Sequence, residues 1–246
     1  GRAMRRMGAI EFATTLAPGL RDVILTGKIK ECVIRVDKAG RNVYDEIVVD
    51  APPTGRIASF LDVTKAMADL AKGGPVHSQS EGVVRLLHSP ETVVHLVALL
   101  EALPVQETAD AAAELARDDL NLGAIIVNRA SPRFLPEDQL SGAAAGNIDA
   151  ASIRSTLSDV GIDLSDDDFA GLLTETIEHA SVLEAQESSA EKLREIDGAR
   201  VQLPALADGV DLGSLYELAE ALAQQFLQRK ASPLRINASS WGSLPE

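Results

Sequence analysis

The chain has 246 residues, of which 46% are hydrophobic and 3% aromatic, and its formal net charge is −14. This composition is that of a folded globular protein with an aliphatic core, and it excludes a chain that is disordered throughout. The acidic balance argues against nucleic acid as the main partner. A single cysteine, Cys32, excludes a disulfide within the chain and a paired-cysteine metal site. No apolar run has the length of a membrane-spanning helix and no signal peptide is visible, so we expect a cytoplasmic protein without membrane insertion.

Helical and strand-like segments alternate along most of the chain. Helices are predicted by apolar spacing of three and four residues, and strands by short β-branched or apolar runs bounded by turn residues. Residues 19–36 have mixed periodicity and could be a helix that runs toward a strand-like end. The predicted helices cover 56–71 and 76–89, a helix opening near Pro104 and a last one at 211–227; the predicted strands cover 43–50, 92–100, 122–129 and 199–204. Because the strands look buried on both faces, the expected fold class is α/β, with a doubly wound, mostly parallel sheet.

A long polar and helical region, 131–198, separates the last two predicted strands. We expect it to be a helical insertion within one α/β domain that covers 1–228, followed by a flexible tail at 229–246. Within the insertion, Ser165 with Asp168 three residues later is close to a capping box, which predicts a helix start.

Two polar residues fall at the ends of predicted strands. Asp50 follows an apolar run and Asn128 closes the run 122–129. Parallel sheets bind ligands at the carboxyl ends of their strands, so both residues are candidates for a site. For Asp50 two interpretations remain: it caps the turn that follows, as aspartate before proline commonly does, or it helps to hold Mg²⁺ beside a nucleotide.

The segment "VVDAPPTGRIASFL" resembles the switch II segment of the arsenite-transporter ATPases and the related tail-anchored-protein-targeting ATPases. Their D-x-x-P-T-G pattern and the later F-L pair are matched in register by Asp50, Pro53, Thr54, Gly55, Phe60 and Leu61. "IIVNR" resembles the family strand that ends in an adenine-reading Asn, and "LPALADGVDLGSL" resembles the adenine-side loop. The resemblance spans most of residues 16–225.

The resemblance implies a P-loop NTPase fold and an ATPase that uses ATP and Mg²⁺. Asp50 would position Mg²⁺ through water, and the backbone of Pro53, Thr54 and Gly55 would sense the γ-phosphate. Asn128 would read adenine, and Leu203 with Pro204 would close over the base. The family also implies a homodimer or a heterodimer with a paralogous subunit, and a protein client or a membrane anion pump as partner.

One part of the family pattern is missing. The chain contains no G-x-x-x-x-G-K-[ST] sequence, since "LTGKIK" lacks both the first glycine and the final Ser or Thr. We therefore expect an N-terminally truncated ATPase that binds no nucleotide tightly and is inactive as this chain alone. The alternative is a nucleotide-inactive binding module that acts through its helical surfaces.

Overall fold

The computed structural model describes residues 20–51, 53, 75–207 and 209–231. Within these ranges the chain forms seven helices and three strands, which confirms the predicted α/β class. In chain order the elements are α1 (Leu20–Val33), α2 (Pro75–Leu87), β1 (Val94–Ala98), α3 (Ala102–Arg117), β2 (Leu122–Ala130), α4 (Glu137–Ala144), α5 (Ala150–Asp159), α6 (Asp166–Arg194), β3 (Ala199–Pro204) and α7 (Leu212–Ala231).

The three strands form one parallel sheet in the order β1-β2-β3. The Val94 N–H at the start of β1 donates to Asn121 O just before β2, so the two strands start side by side. At the other end, the Ala205 N–H after β3 donates to Ala130 O, the last residue of β2. The outer edge of β3 is closed by a side chain of α7, because Gln225 accepts from the Gln202 N–H at 2.9 Å and donates to Gln202 O at 2.7 Å.

By its internal contacts the chain divides into two units, Gly1–Leu96 with Gln106–Ala124 and Val97–Val105 with Ile125–Glu246. In the first unit α1 packs on α2, and their contact buries small side chains such as Thr26 and Ser80. The second unit has two apolar clusters. One lies at the sheet and consists of Ala98, Val105, Ile125, Val127, Ala130 and Leu193; the other joins α4 to α6 and consists of Leu140, Ala143, Ala180 and Leu183.

The ends of the longer helices are closed by specific contacts. α3 ends with Asp119 in the left-handed region (φ 55°) and with a Leu120 N–H to Leu115 O bond, the pattern that satisfies terminal carbonyls. At the start of α6, the Ser165 side chain accepts from the Asp168 N–H, which confirms the predicted cap. The Ser165 hydroxyl also donates to Asp168 Oδ2, whereas a full capping box would use the backbone N–H of residue 165.

Two predicted strands differ from the structure. The predicted strand 43–50 is wrong: residues 46–50 have no regular structure and Val48 is 93% exposed. A strand requires a neighbour for its backbone hydrogen bonds, and no strand of the described residues pairs with this run. β1 is shorter than predicted and is buried on one face only, since Leu96 and Ala98 are buried whereas His95 and Val97 are exposed.

The remaining predictions on secondary structure are confirmed or lie outside the described residues. The strands at 122–129 and 199–204 and the helices between them are present. The predicted helix 56–71 lies outside the described residues. α7 runs to Ala231, so the first residues of the predicted tail are helical, and 232–246 lies outside the described residues. Within the described ranges, no helix combines the length and the apolar character that crossing a membrane requires.

Candidate functional site

The carboxyl end of β2 carries Asn128, a residue that the sequence analysis singled out. Asn128 is half-buried, and its Oδ1 accepts a hydrogen bond from the Arg129 backbone N–H at 3.0 Å. Arg129 has a φ of 54°, in the left-handed region that residues other than glycine seldom adopt. Such a position costs on the order of 1–3 kcal/mol and is found mostly at functional sites. The backbone itself therefore marks this strand end.

The turn at Arg129 changes which side chains of β2 face the core. In a regular strand Ala130 would share a face with Asn128, because side chains alternate. Instead Ala130 is buried in the same cluster as Ile125 and Val127, whereas Arg129 is exposed. The single left-handed residue thus shifts the alternation by one position, as a bulge does, and leaves the side chain of Asn128 at the edge of the sheet.

The end of β3 lies beside this turn. The Ala205 N–H, directly after Pro204, donates to Ala130 O at 2.9 Å. Pro204 is exposed, whereas Leu203 is 7% exposed and has its side chain in the interior. The structure therefore brings Asn128, Leu203 and Pro204 to one edge of the sheet, where Leu203 is buried and Pro204 is exposed.

The segment that follows β2, residues 131–134, is fastened to one face of α6; we call it the strap. The Ser131 N–H donates to Gln186 Oε1 at 3.1 Å, and Gln186 Nε2 donates back to Ser131 Oγ at 3.0 Å. His179 Nε2 lies 2.9 Å from Pro132 O, and since a carbonyl only accepts, this nitrogen carries the proton. The strap thus has little freedom to move away from α6.

An ion-pair network adds to this attachment. Glu187 on α6 forms ion pairs with Arg133 of the strap and with Arg194, which lies about two turns further along the same helix. The distance from Glu187 to Arg194 is 2.7 Å. The hydrogen bond from Arg194, followed by that from Arg133, holds the pKa of Glu187 below its ordinary value. The carboxylate is therefore charged at neutral pH and keeps both partners.

The proposed phosphate-side residues belong to the other unit. Asp50 and Pro53 are exposed and irregular in structure, and Thr54 and Gly55 lie outside the described residues. The Asp50 carboxylate forms no hydrogen bond or ion pair with another described residue. A free carboxylate fits Mg²⁺, which proteins hold with one or two carboxylates together with water and phosphate oxygens. No cluster of three acidic, His or Cys side chains suited to a metal occurs in the part of the chain that the structure describes.

The fold defines an α/β protein with a three-stranded parallel sheet, and Asn128 lies at the carboxyl end of its central strand. No protein-family model matches the chain. The chain is similar to "ATPase BagA" of Mycobacterium tuberculosis (strain ATCC 25618 / H37Rv) and to "Putative ATPase Mb3704" of Mycobacterium bovis, with 64% identity over 225 residues to each. The match covers 92% of this chain and 66% of each relative, so the chain spans slightly less than two thirds of their length. Both relatives are named as ATPases.

Sequence reasoning missed the residues that shape this edge. It did not find the left-handed Arg129, and it did not find the pairing of Ser131 with Gln186. A serine after a strand and a glutamine in a polar helix are both ordinary surface residues by type, and 55 positions separate them. The only signal in the sequence is Asn128 itself, a residue type whose side chain commonly bonds to the nearby backbone.

Proposed function

We propose that the full protein is a Mg-ATP hydrolase of the arsenite-transporter and tail-anchored-protein-targeting type. The observation that carries the proposal is the Asn128 amide at the carboxyl edge of a parallel sheet, next to a strained turn at Arg129. Its support is the 64% identity to proteins named as ATPases. In this proposal the protein acts in the cytoplasm and couples its nucleotide state to the geometry of a dimer, with itself or a paralogous subunit, and to a protein client or a membrane anion pump.

The edge formed by β2 and β3 is the proposed adenine site. A side-chain amide offers a donor and an acceptor, which is the pairing that adenine presents with its ring nitrogen and amino group. Asn128 Nδ2 has no hydrogen-bond partner among the described residues, and Oδ1 keeps a lone pair besides the one used by the Arg129 N–H. Exposed Pro204 would supply an apolar surface beside the base, and buried Leu203 would support it from the core.

The segment from Asp50 to Gly55 is the proposed phosphate-side site. When bound, Mg²⁺ would neutralise charge on the phosphates and orient them. Asp50 would hold the water shell of the ion through its free carboxylate. Pro53, Thr54 and Gly55 would present backbone groups to the γ-phosphate, and a glycine in this segment permits backbone conformations that other residues cannot adopt.

The chain supplies no phosphate-binding lysine in a G-x-x-x-x-G-K-[ST] context, and its one "GK" pair lies inside α1. We propose that this loop belongs to the third of the relatives' length that the match does not cover. This chain alone would then bind Mg-ATP weakly and hydrolyse none. Calorimetric titration of the 246-residue chain with Mg-ATP tests the point, and tight magnesium-dependent binding would show that the chain holds the phosphates by other groups.

Hydrolysis by the full protein tests the role of Asp50. Asp50→Asn removes a charge that acts on the ion through water, and such outer ligands are worth about 10–100-fold in activity or metal affinity. We expect the rate at limiting magnesium to fall by that factor. Glu46→Gln is the matched control, because Glu46 is an exposed carboxylate four residues earlier in the same irregular segment. Equal rates for Asp50→Asn and the control would contradict the assignment.

A second candidate function rests on the helical region. α5 buries none of its side chains, and Val160 and Ile162 directly after it are 66% and 48% exposed. A helix without buried side chains favours a binding module that works through this surface. Removal of residues 150–164 from the full protein separates the two functions, because loss of partner binding with unchanged ATP turnover would favour the binding module.

A further inference from the structure

We propose that Gln186 is a positioning residue for base recognition: its two-way hydrogen bond with Ser131 fixes the turn at Arg129 and thereby the direction of the Asn128 amide. This inference rests on the proposed function, since it concerns the same adenine site. Gln186 itself lies on α6 and would not touch the base.

The left-handed conformation of Arg129 needs support from the residues around it. Arg129 has a side chain, so its backbone would relax to an ordinary conformation of lower energy unless the flanking residues were held. On the side of β2, the strand ladder holds Asn128. On the other side, Ala130 is held by its bond with the Ala205 N–H and by its burial in the core.

Gln186 holds the next residue, Ser131. The Ser131 N–H would otherwise be an unpaired donor in a part-buried position, which is costly. One side-chain amide meets both the backbone N–H and the hydroxyl of Ser131, so it fixes the position and the rotation of that residue. With residues on both sides fixed, Arg129 is confined to the left-handed region.

The turn at Arg129 is also connected to Asn128. The Arg129 N–H donates to Asn128 Oδ1, so the rotation of this peptide sets the rotamer of the Asn128 side chain. If the turn relaxes, the N–H moves and the amide loses its orientation. The expected consequence is a loss of preference for adenine over guanine, whereas contacts with phosphate and ribose would be unaffected.

The experiment is to measure the dissociation constants of Mg-ATP and Mg-GTP for the full protein and four variants. For Gln186→Ala we expect the preference for ATP over GTP to fall by about three- to tenfold, the worth of one or two neutral hydrogen bonds. Gln186→Glu should restore it, because a carboxylate accepts from both the Ser131 N–H and its hydroxyl. Glu184→Ala, an exposed position on the same helix, should leave it unchanged.

The fourth variant, Asn128→Ala, distinguishes a failure of the proposed adenine site from a failure of the positioning role of Gln186. If the wild-type protein does not prefer ATP, or if Asn128→Ala keeps the preference, then the proposed adenine site is wrong and the role of Gln186 falls with it. If Asn128→Ala abolishes the preference and Gln186→Ala does not change it, only the positioning role is overturned. Equal weakening of ATP and GTP in Gln186→Ala would show a merely structural role and would also overturn the inference.

Discussion

Arg200 at the start of β3 is expected to be one of the main supports of α6. Its guanidinium donates to Leu193 O at 2.9 Å, to Arg194 O at 2.7 Å and to Ile196 O. Leu193 and Arg194 are the last two residues of α6, where backbone carbonyls lack an i+4 partner within the helix, and Ile196 follows just beyond the C-cap. Charged hydrogen bonds are worth about 1.5–3 kcal/mol each when buried, and a cation at this end of the dipole adds about 0.3–1 kcal/mol. Because two of the three bonds are only part-buried and the third is exposed, we expect a total near 2–3 kcal/mol.

The variant Arg200→Met keeps the apolar stem and removes the donors, and Arg200→Lys keeps the charge with a single compact head group. For a chain of this size, a loss of about 2–3 kcal/mol corresponds to a decrease in Tm of roughly 5–10 °C. Thermal unfolding followed by circular dichroism should show this decrease for Arg200→Met and about half of it for Arg200→Lys. A Tm for Arg200→Met within about 1 °C of the wild-type value would refute the reasoning, because the carbonyls would then be as well satisfied by water.

Two further predictions concern packing and pH. Gly123→Ala places a Cβ 2.7 Å from His95 Cε1, so we expect a destabilisation of about 1–3 kcal/mol in urea unfolding. The control is Gly171→Ala on α6, which has open space around it and should stabilise the protein by about 0.5–1 kcal/mol. Equal effects of the two substitutions would contradict the clash at Gly123. Since the pKa of Glu187 is lowered in the folded protein, its ion pairs stabilise the fold above the ordinary glutamate pKa and are lost as the pH falls through the lower folded value. The Tm difference between wild type and Glu187→Gln should therefore shrink from pH 7 to acidic pH. The control is Glu184→Gln at an exposed position, for which we expect a difference that does not change with pH. A constant difference for Glu187→Gln would contradict the role of these ion pairs.

The sequence predicts the elements whose signals are local. β2 carries a continuous apolar run, β3 alternates buried Val201 and Leu203 with polar residues, and α6 begins after a serine that three aspartates follow, so burial and capping both act within a few residues. The run at 43–50 carries the same strand signal but has no paired neighbour among the described residues, and its Val49 is 42% exposed. Strand propensity reflects the fit to a neighbouring strand more than a preference of the backbone, which is why composition alone failed there.

Leu203 and Pro204 were indicated only by the family resemblance. Asn128 could be found because the carboxyl ends of parallel strands meet at one edge, a rule that needs only the order of the elements. The conformation of Arg129 and its support by Gln186 could not, since both depend on contacts between residues far apart in the sequence. In the sequence the strap 131–134 is only the start of the polar and helical region 131–198, and nothing there indicates that three side chains of α6 hold it.

α6 gives this edge a direct connection to the rest of the helical region. The helix has 29 residues, or about 43 Å at 1.5 Å per residue, and contains no proline that would let it bend sharply. Near its C-terminal end Arg200, Gln186 and Glu187 fasten it to the sheet and the strap, and in its middle Ala180 and Leu183 join the cluster with α4. A helix without a proline kink, held at these points, does not readily absorb a displacement at one end. Any shift of the strap on base binding must therefore either break the hydrogen bonds between Ser131 and Gln186 or move α6 and α4 together. The pair proposed to orient Asn128 would thus also transmit nucleotide binding to the helical region.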